Sequence, residues 1–141
     1  MTAAKPNATG APGYTAELTC VPESVGSARA LVSSVLAAWG LEDYLADCAE
    51  IIISELLTNV VDHTETDLST IFIERKSSIG VRIAVSDQSH AVPCVKSATG
   101  DAESGRGLRL VDALSRVWGY DTHSWGKVTW AEIEAPVRSG P

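Results

Sequence analysis

Apolar and polar positions alternate along this chain in two rhythms, one helical and one strand-like. From Val25 to Trp39, residues Ala28, Leu31, Val32, Val35 and Ala38 recur at helical spacing, and Gly40 ends the run. From Tyr44 to Val61 the chain is strongly apolar and free of Pro and Gly, a length that predicts a buried helix rather than a strand. Glu42 and Asp43 put acidic residues at its start, which suits the helix dipole, and the helix is expected to end near His63. The strand rhythm appears weakly in Tyr14 to Val21, then in Leu68 to Glu74 and Ile79 to Ser86. Lys76-Ser77-Ser78 joins the last two as a hairpin. Gln88 to Ser104 is polar and lacks periodicity, and a loop of that length in a small domain is usually functional or mobile. Gly105 opens a further helix with Leu108, Val111 and Leu114 on one face. Arg116 to Asp121 and Lys127 to Glu134 read as a final strand pair.

Strands and helices therefore do not alternate strictly, which excludes a doubly wound parallel sheet. The expected fold class is α+β, a two-layer α/β sandwich with a mixed, mostly antiparallel sheet and helices on one face. Residues 1–13 are small and polar and read as a disordered lead-in. The domain is expected over 14–136, with 137–141 as a tail.

On a helical wheel of about 100° per residue, Tyr44, Leu45, Cys48, Ile51, Ile52 and Leu56 form one apolar face, Ile53, Leu57 and Val60 form a second apolar side, and Asp47, Glu50, Ser54 and Thr58 share the narrow polar wedge. Glu55 and Asn59 fall in the middle of the first face, one turn apart. A buried, unpaired carboxylate costs several kcal/mol, so Glu55 needs a cation, a donor network or a ligand. A core polar pair satisfied by neighbouring backbone is the competing reading.

Length and composition change the picture only by exclusion. With 141 residues the chain is long enough for one domain with a real core and too short for two. A net charge of −7 argues against nucleic acid or an anionic membrane as partner. Cys20, Cys48 and Cys94 are far apart and not at metal-ligand spacing, so they read as reduced thiols of a cytoplasmic protein. No secretory leader and no spanning segment is visible.

Three pieces carry candidate chemistry. An Asn such as Asn59 can offer a carbonyl oxygen to a hard cation such as Mg²⁺, and Glu55 can act as a base toward a hydroxyl or a water. Asp87 ends an apolar strand; it is either a turn former or, if buried, an acceptor for an exocyclic amine. Gly105-x-Gly107 at a helix start allows close backbone approach to phosphate, although many such pairs are plain turns. It has neither the third glycine of a dinucleotide fingerprint nor the Gly-Lys-Ser/Thr of a Walker loop. His63 is either a phosphate contact or a helix-end dipole partner. Trp118 and Trp130, on adjacent expected strands, are candidates for packing across the sheet.

Together these pieces resemble a known family. Glu55-x-x-x-Asn59-x-x-x-His63 resembles the N-box of the GHKL (Bergerat-fold) ATPases. Asp87 resembles the adenine-binding Asp of their G1 box, and Gly105-Arg-Gly-Leu-Arg-Leu-Val111 their G2 box. Gly126-Lys-Val-Thr129-Trp130 resembles the closing strand that bears a Thr. The chain is most similar to anti-sigma-factor serine kinases of the RsbW/SpoIIAB type and their stand-alone actinobacterial relatives, over about Ser24 to Glu134. The resemblance implies a histidine-kinase-like ATPase fold that binds ATP and Mg²⁺. It implies Glu55 as the base for phosphoryl transfer to serine and Asn59 as the Mg²⁺ ligand. It implies Asp87 as the adenine acceptor, with Gly105, Arg106, Gly107 and Leu108 as phosphate and lid contacts and Thr129 supporting the adenine pocket. Arg29 falls where such proteins present a basic residue to a sigma factor and to a STAS-domain anti-anti-sigma partner, and homodimers are common among them. One departure stands out: Asp87-Gln-Ser-His-Ala-Val-Pro93 lacks the glycines of the full G1 pattern. A non-catalytic binding module on the same scaffold is the alternative, and a detached ATPase domain serving a sensor histidine kinase is a third reading.

Overall fold

The computed structural model describes residues 5–6, 12–41, 43–91 and 102–136, with 5–6 and 102–107 described as backbone alone. Its elements run β1 (Lys5–Pro6), β2 (Gly13–Thr19), α1 (Glu23–Ala38), α2 (Asp43–His63), β3 (Leu68–Ser77), β4 (Gly80–Asp87), α3 (Ala102–Leu114), β5 (Val117–His123) and β6 (Gly126–Glu134). The strands form one sheet in the order β1-β2-β3-β4-β6-β5, and each neighbouring pair is antiparallel. Two short segments depart from expectation. Lys5 and Pro6, inside the expected disordered lead-in, pair with Thr15 and Tyr14 of β2. The third helix begins at Ala102 rather than Gly105, which shortens the expected loop from its far end.

Strand alternation decides which side carries the core. Ile71 and Ile73 of β3 lie opposite Val85 and Ile83 of β4, and Ile83 and Val81 lie opposite Ala131 and Ile133 of β6. All seven are buried in one cluster with Ala28, Val32 and Leu36 of α1 and Leu45, Ile52, Ile53, Leu56 and Leu57 of α2. The helices therefore cover one face of the sheet, with α2 central, touching both α1 and α3. Each fully buried aliphatic side chain contributes roughly 1.5–3 kcal/mol relative to exposure.

The α1 stop is a Schellman arrangement. Gly40 adopts φ +70°, the Gly40 N–H donates to Ala37 O, and the Leu41 N–H donates to Leu36 O. This turns the chain directly into α2.

The opposite face of the sheet is polar and aromatic. Arg82 stacks 4.3 Å over Trp130 and pairs with Glu132 and, at 3.9 Å, with Asp121. Trp130 does not pack on Trp118, contrary to the sequence expectation. Trp118 lies opposite Ala131 and so points to the helix side, where its Nε1 donates to Asp112 of α3 at 2.9 Å. Trp130 points the other way and lies over Gly119, where a Cβ would come within 2.8 Å of its ring.

Beyond Ile71↔Val85 the β3–β4 ladder is continued by side chains. Ser69 Oγ donates to Ser86 O at 2.6 Å, and the Thr70 N–H donates to Ser86 Oγ at 2.8 Å. These bonds keep β4 in line up to Asp87. Ser69→Ala is expected to cost about 1 kcal/mol, the usual net worth of such a bond, read as a lower urea midpoint at unchanged m-value.

Candidate functional site

The site grows from the end of β4. Val85 and Asp87 share the helix-facing side of this strand, opposite Thr129 and Lys127 of β6. Asp87 is buried, at 3 % exposure, and so are Lys127 at 6 % and Thr129 at 5 %. Lys127 Nζ lies 3.0 Å from Asp87 Oδ1, and the Ser89 N–H donates to the same oxygen at 2.8 Å. Lys127 Nζ also reaches Ser89 O at 3.4 Å. Asp87 thus makes the Asx-type turn that its position foreshadowed and is at the same time a buried, charge-paired carboxylate. The sequence set a turn former against a buried acceptor for an exocyclic amine; the structure shows the turn and the burial together, with Lys127 as the partner.

Two loops hold this strand end. The Gln88 N–H donates to Thr66 Oγ1 at 2.9 Å, and the Asp67 N–H donates to Gln88 Oε1 at 3.3 Å. Gly126 brings the β5–β6 turn against the backbone of Asp87 and Gln88, at φ +150°. Cys20, just past β2, is close enough to feel the same charges. Burial first, then the Asp67 and Asp87 carboxylates, push its thiol up, so it stays protonated near neutral pH and is a weak nucleophile. Neither Cys20 nor Cys48 is in a disulfide, and Cys94 lies outside the described residues.

The helix α2 supplies the second part. Its buried residues are Leu45, Cys48, Ala49, Ile52, Ile53, Leu56, Leu57 and Val60. Tyr44 and Ile51, expected in the core, are exposed at 53 % and 41 %. The buried stripe is therefore rotated toward Ile53, Leu57 and Val60. Glu55 and Asn59 are not central but half-buried on its edge. The reason is that α2 packs against β4, β6, α1 and α3 together, so its buried arc is wider than one apolar face and is centred elsewhere.

At the end of α2, exposed His63 and Asp62 line a hollow of about 560 Å³ with Thr64, Glu65, Gln88 and Ser89. The helix end and the residues after Asp87 thus meet at one opening. Among the described residues no cluster of three His, Cys, Asp or Glu could hold a metal ion.

The third part is α3. Because it starts at Ala102, its open first-turn N–H groups lie no further along than residue 104, and Gly105, Arg106, Gly107 and Leu108 follow them. The expected phosphate-contact run thus begins one residue past those groups. Leu108 and Val111 are buried, and α3 packs against α2. Arg29 lies in a neighbouring hollow that shares Asp62 with the one at the end of α2. It is exposed on α1 and lines a hollow of about 390 Å³ between α1 and α2, with Pro22, Val25, Gly26, Thr58, Val61 and Asp62.

Sequence reasoning passed over Lys127. The signal was its spacing: two residues before Thr129 on the same strand, it shares the inward face, and an inward lysine needs a carboxylate.

A central helix bearing Glu-x-x-x-Asn, a buried Asp at the adjacent strand end and a third helix beside it, all on one face of an antiparallel sheet, define the GHKL or Bergerat class of ATPase fold. The model of the family described as the histidine kinase-like ATPase domain matches residues 18–133, and the chain belongs to that family. No curated protein matches the chain.

Proposed function

We propose that this chain is an ATP-binding anti-sigma regulator that phosphorylates a serine of a STAS-domain anti-anti-sigma protein. The observation that carries it is the joint placement of Glu55 and Asn59 on the half-buried edge of α2 with a buried Asp87 at the end of β4, inside a domain of this family. The donor set fits the ligand: a carboxamide oxygen for a hard cation, and a carboxylate for the amine of adenine. Bound Mg-ATP would supply the phosphoryl group and the charge that neutralises its transfer. Asn59 would hold the cation and Asp87 the base, with Thr129 beside it and His63 at the mouth. The part of α3 from Gly105 through Arg106 and Gly107 to Leu108, just past its first turn, would border the phosphates. Glu55 would take the proton of the incoming serine hydroxyl. Arg29 and its hollow between α1 and α2 form the partner surface for the sigma factor and the STAS protein.

Calorimetric titration of ATP with and without Mg²⁺ tests the binding part. Magnesium-dependent affinity is expected in the wild type and a loss of at least about tenfold in Asn59→Ala, the low end of what losing even an outer-shell partner of a bound metal costs. Phosphoserine on a cognate STAS protein tests the transfer part. Glu55→Ala is expected to keep ATP binding and to abolish phosphoserine. No phosphoserine from the wild type with bound Mg-ATP would overturn the kinase reading.

One observation favours the second reading, a protein-binding module without catalysis. Oδ1 of Asp87 is already engaged by Lys127 and Ser89, and the stretch after it carries no glycine. Absence of nucleotide binding at millimolar concentration, with the protein folded and partner binding through Arg29 intact, would select it.

A further inference from the structure

The Asp87–Lys127 pair is more than the resemblance calls for. A buried ion pair is a costly way to hold a strand end. Both groups lose their hydration, and two well-packed apolar residues would often do as well. Here each partner is at least nine-tenths buried, and three contacts converge: Nζ to Oδ1 at 3.0 Å, the Ser89 N–H to Oδ1 at 2.8 Å, and Nζ to Ser89 O at 3.4 Å. Both described donors go to one oxygen of the carboxylate. They fix its plane and compensate its charge without turning it into a donor.

We propose that Lys127 is a positioning residue that sets base selectivity: by holding Oδ1 of Asp87 it keeps the carboxylate a fixed, acceptor-only group. Such a group selects purine nucleotides that present an exocyclic amine over those that present a carbonyl oxygen at the same position. This rests on the nucleotide-binding reading above. An ionised carboxylate accepts and cannot donate. An amine meets it favourably, whereas a carbonyl oxygen sets two acceptors face to face beside a carboxylate that is only 3 % exposed. Sites built around a specific hydrogen bond can discriminate by about 10⁴–10⁵. Remove the ammonium and the carboxylate is left buried without its counter-charge. The site then admits a water, which can donate to a carbonyl oxygen, and the rejection weakens.

The test is the ratio of ATP to ITP affinity, measured by calorimetry on the full chain with Mg²⁺. Inosine differs from adenosine at the position in question by carrying a carbonyl oxygen in place of the amine. Wild type and Lys127→Arg, which keeps the charge, are expected to favour ATP by at least about 100-fold, a conservative share of what such a hydrogen bond supports. Lys127→Met is expected to lower that ratio at least tenfold. A purely structural role would weaken both nucleotides alike. An unchanged ratio in folded Lys127→Met therefore overturns the proposal, whatever happens to the absolute affinities. If Met at this position prevents folding, Lys127→Gln keeps a donor without the charge and must lower the ratio in the same direction; an unchanged ratio there overturns the proposal equally. Wild type that binds ATP and ITP equally well overturns the selectivity claim while leaving nucleotide binding intact. Wild type that binds neither overturns both.

Discussion

Asp87→Ala is expected to lower folding stability by about 3–5 kcal/mol, the usual result of removing one partner from a buried ion pair. The loss is not the strength of the bond. It is the cost of leaving the Lys127 ammonium in a 6 % exposed site with no counter-charge. The Ser89 N–H loses its acceptor as well, so the turn after β4 loosens with it. Equilibrium unfolding in urea at neutral pH measures the change as a fall in midpoint. The double variant Asp87→Ala with Lys127→Met separates cost from contribution. Removing both charges together is expected to recover most of the loss, because an apolar pair at the same place carries no desolvation penalty. If the double variant is as unstable as the single one, the pair's role is packing and not charge.

Gly126→Ala is the second large effect, expected at about 3 kcal/mol or more. Gly126 sits at φ +150°, where L side chains are strained, and that alone costs of order 1–3 kcal/mol. A Cβ there would also overlap the Asp87 carbonyl oxygen and lie within 2.8 Å of Gln88 Cα. Those neighbours are backbone held by the Asp87↔Lys127 pairing and by the Gln88–Thr66 bond, so they cannot step aside cheaply. The β5–β6 turn would have to lift away from β4. Thermal unfolding should show a fall in Tm of roughly 10 °C or more for a domain of this size, on a scale of about 3–5 °C per kcal/mol. Hydrogen exchange should quicken at Lys127 and Val128 before it does at Ile133, since the displacement begins at the turn. A wild-type Tm would show that the turn is free of β4.

Both variants act on the same place, where the strand end, the turn and the buried Asp87 carboxylate are one unit. If Asp87 reads the base as proposed, stability and ligand selectivity are coupled there. Variants with lost nucleotide affinity must be checked for folding before a role is assigned.

The elements themselves were legible from local pattern. An apolar run without Pro or Gly made α2, alternation made β3 and β4, and Gly40 marked the end of α1 because only glycine adopts φ +70° at no steric cost. The spacing Glu55-x-x-x-Asn59 puts the two residues one turn apart on any helix. Asp87 at a strand end needs nothing but chain order. These are properties of residues a few positions apart, and local sequence determined them.

Other features depended on which surfaces meet. A wheel shows apolar faces but not how many neighbours a helix has; α2 touches two strands and two helices, so its buried arc widened and Glu55 and Asn59 moved to its edge. Strand parity fixes which residues share a face only once the register is known. The Trp118–Trp130 expectation failed for that reason: the register sets Trp118 against Ala131 and Trp130 against Gly119. Lys127 and Asp87 are 40 positions apart, and no local rule pairs them. The sequence by itself determined the elements, the family and most of the candidate residues. The tertiary structure alone decided that Asp87 is held by a buried lysine, because long-range strand pairing and the exclusion of water are what turn two distant charges into one site.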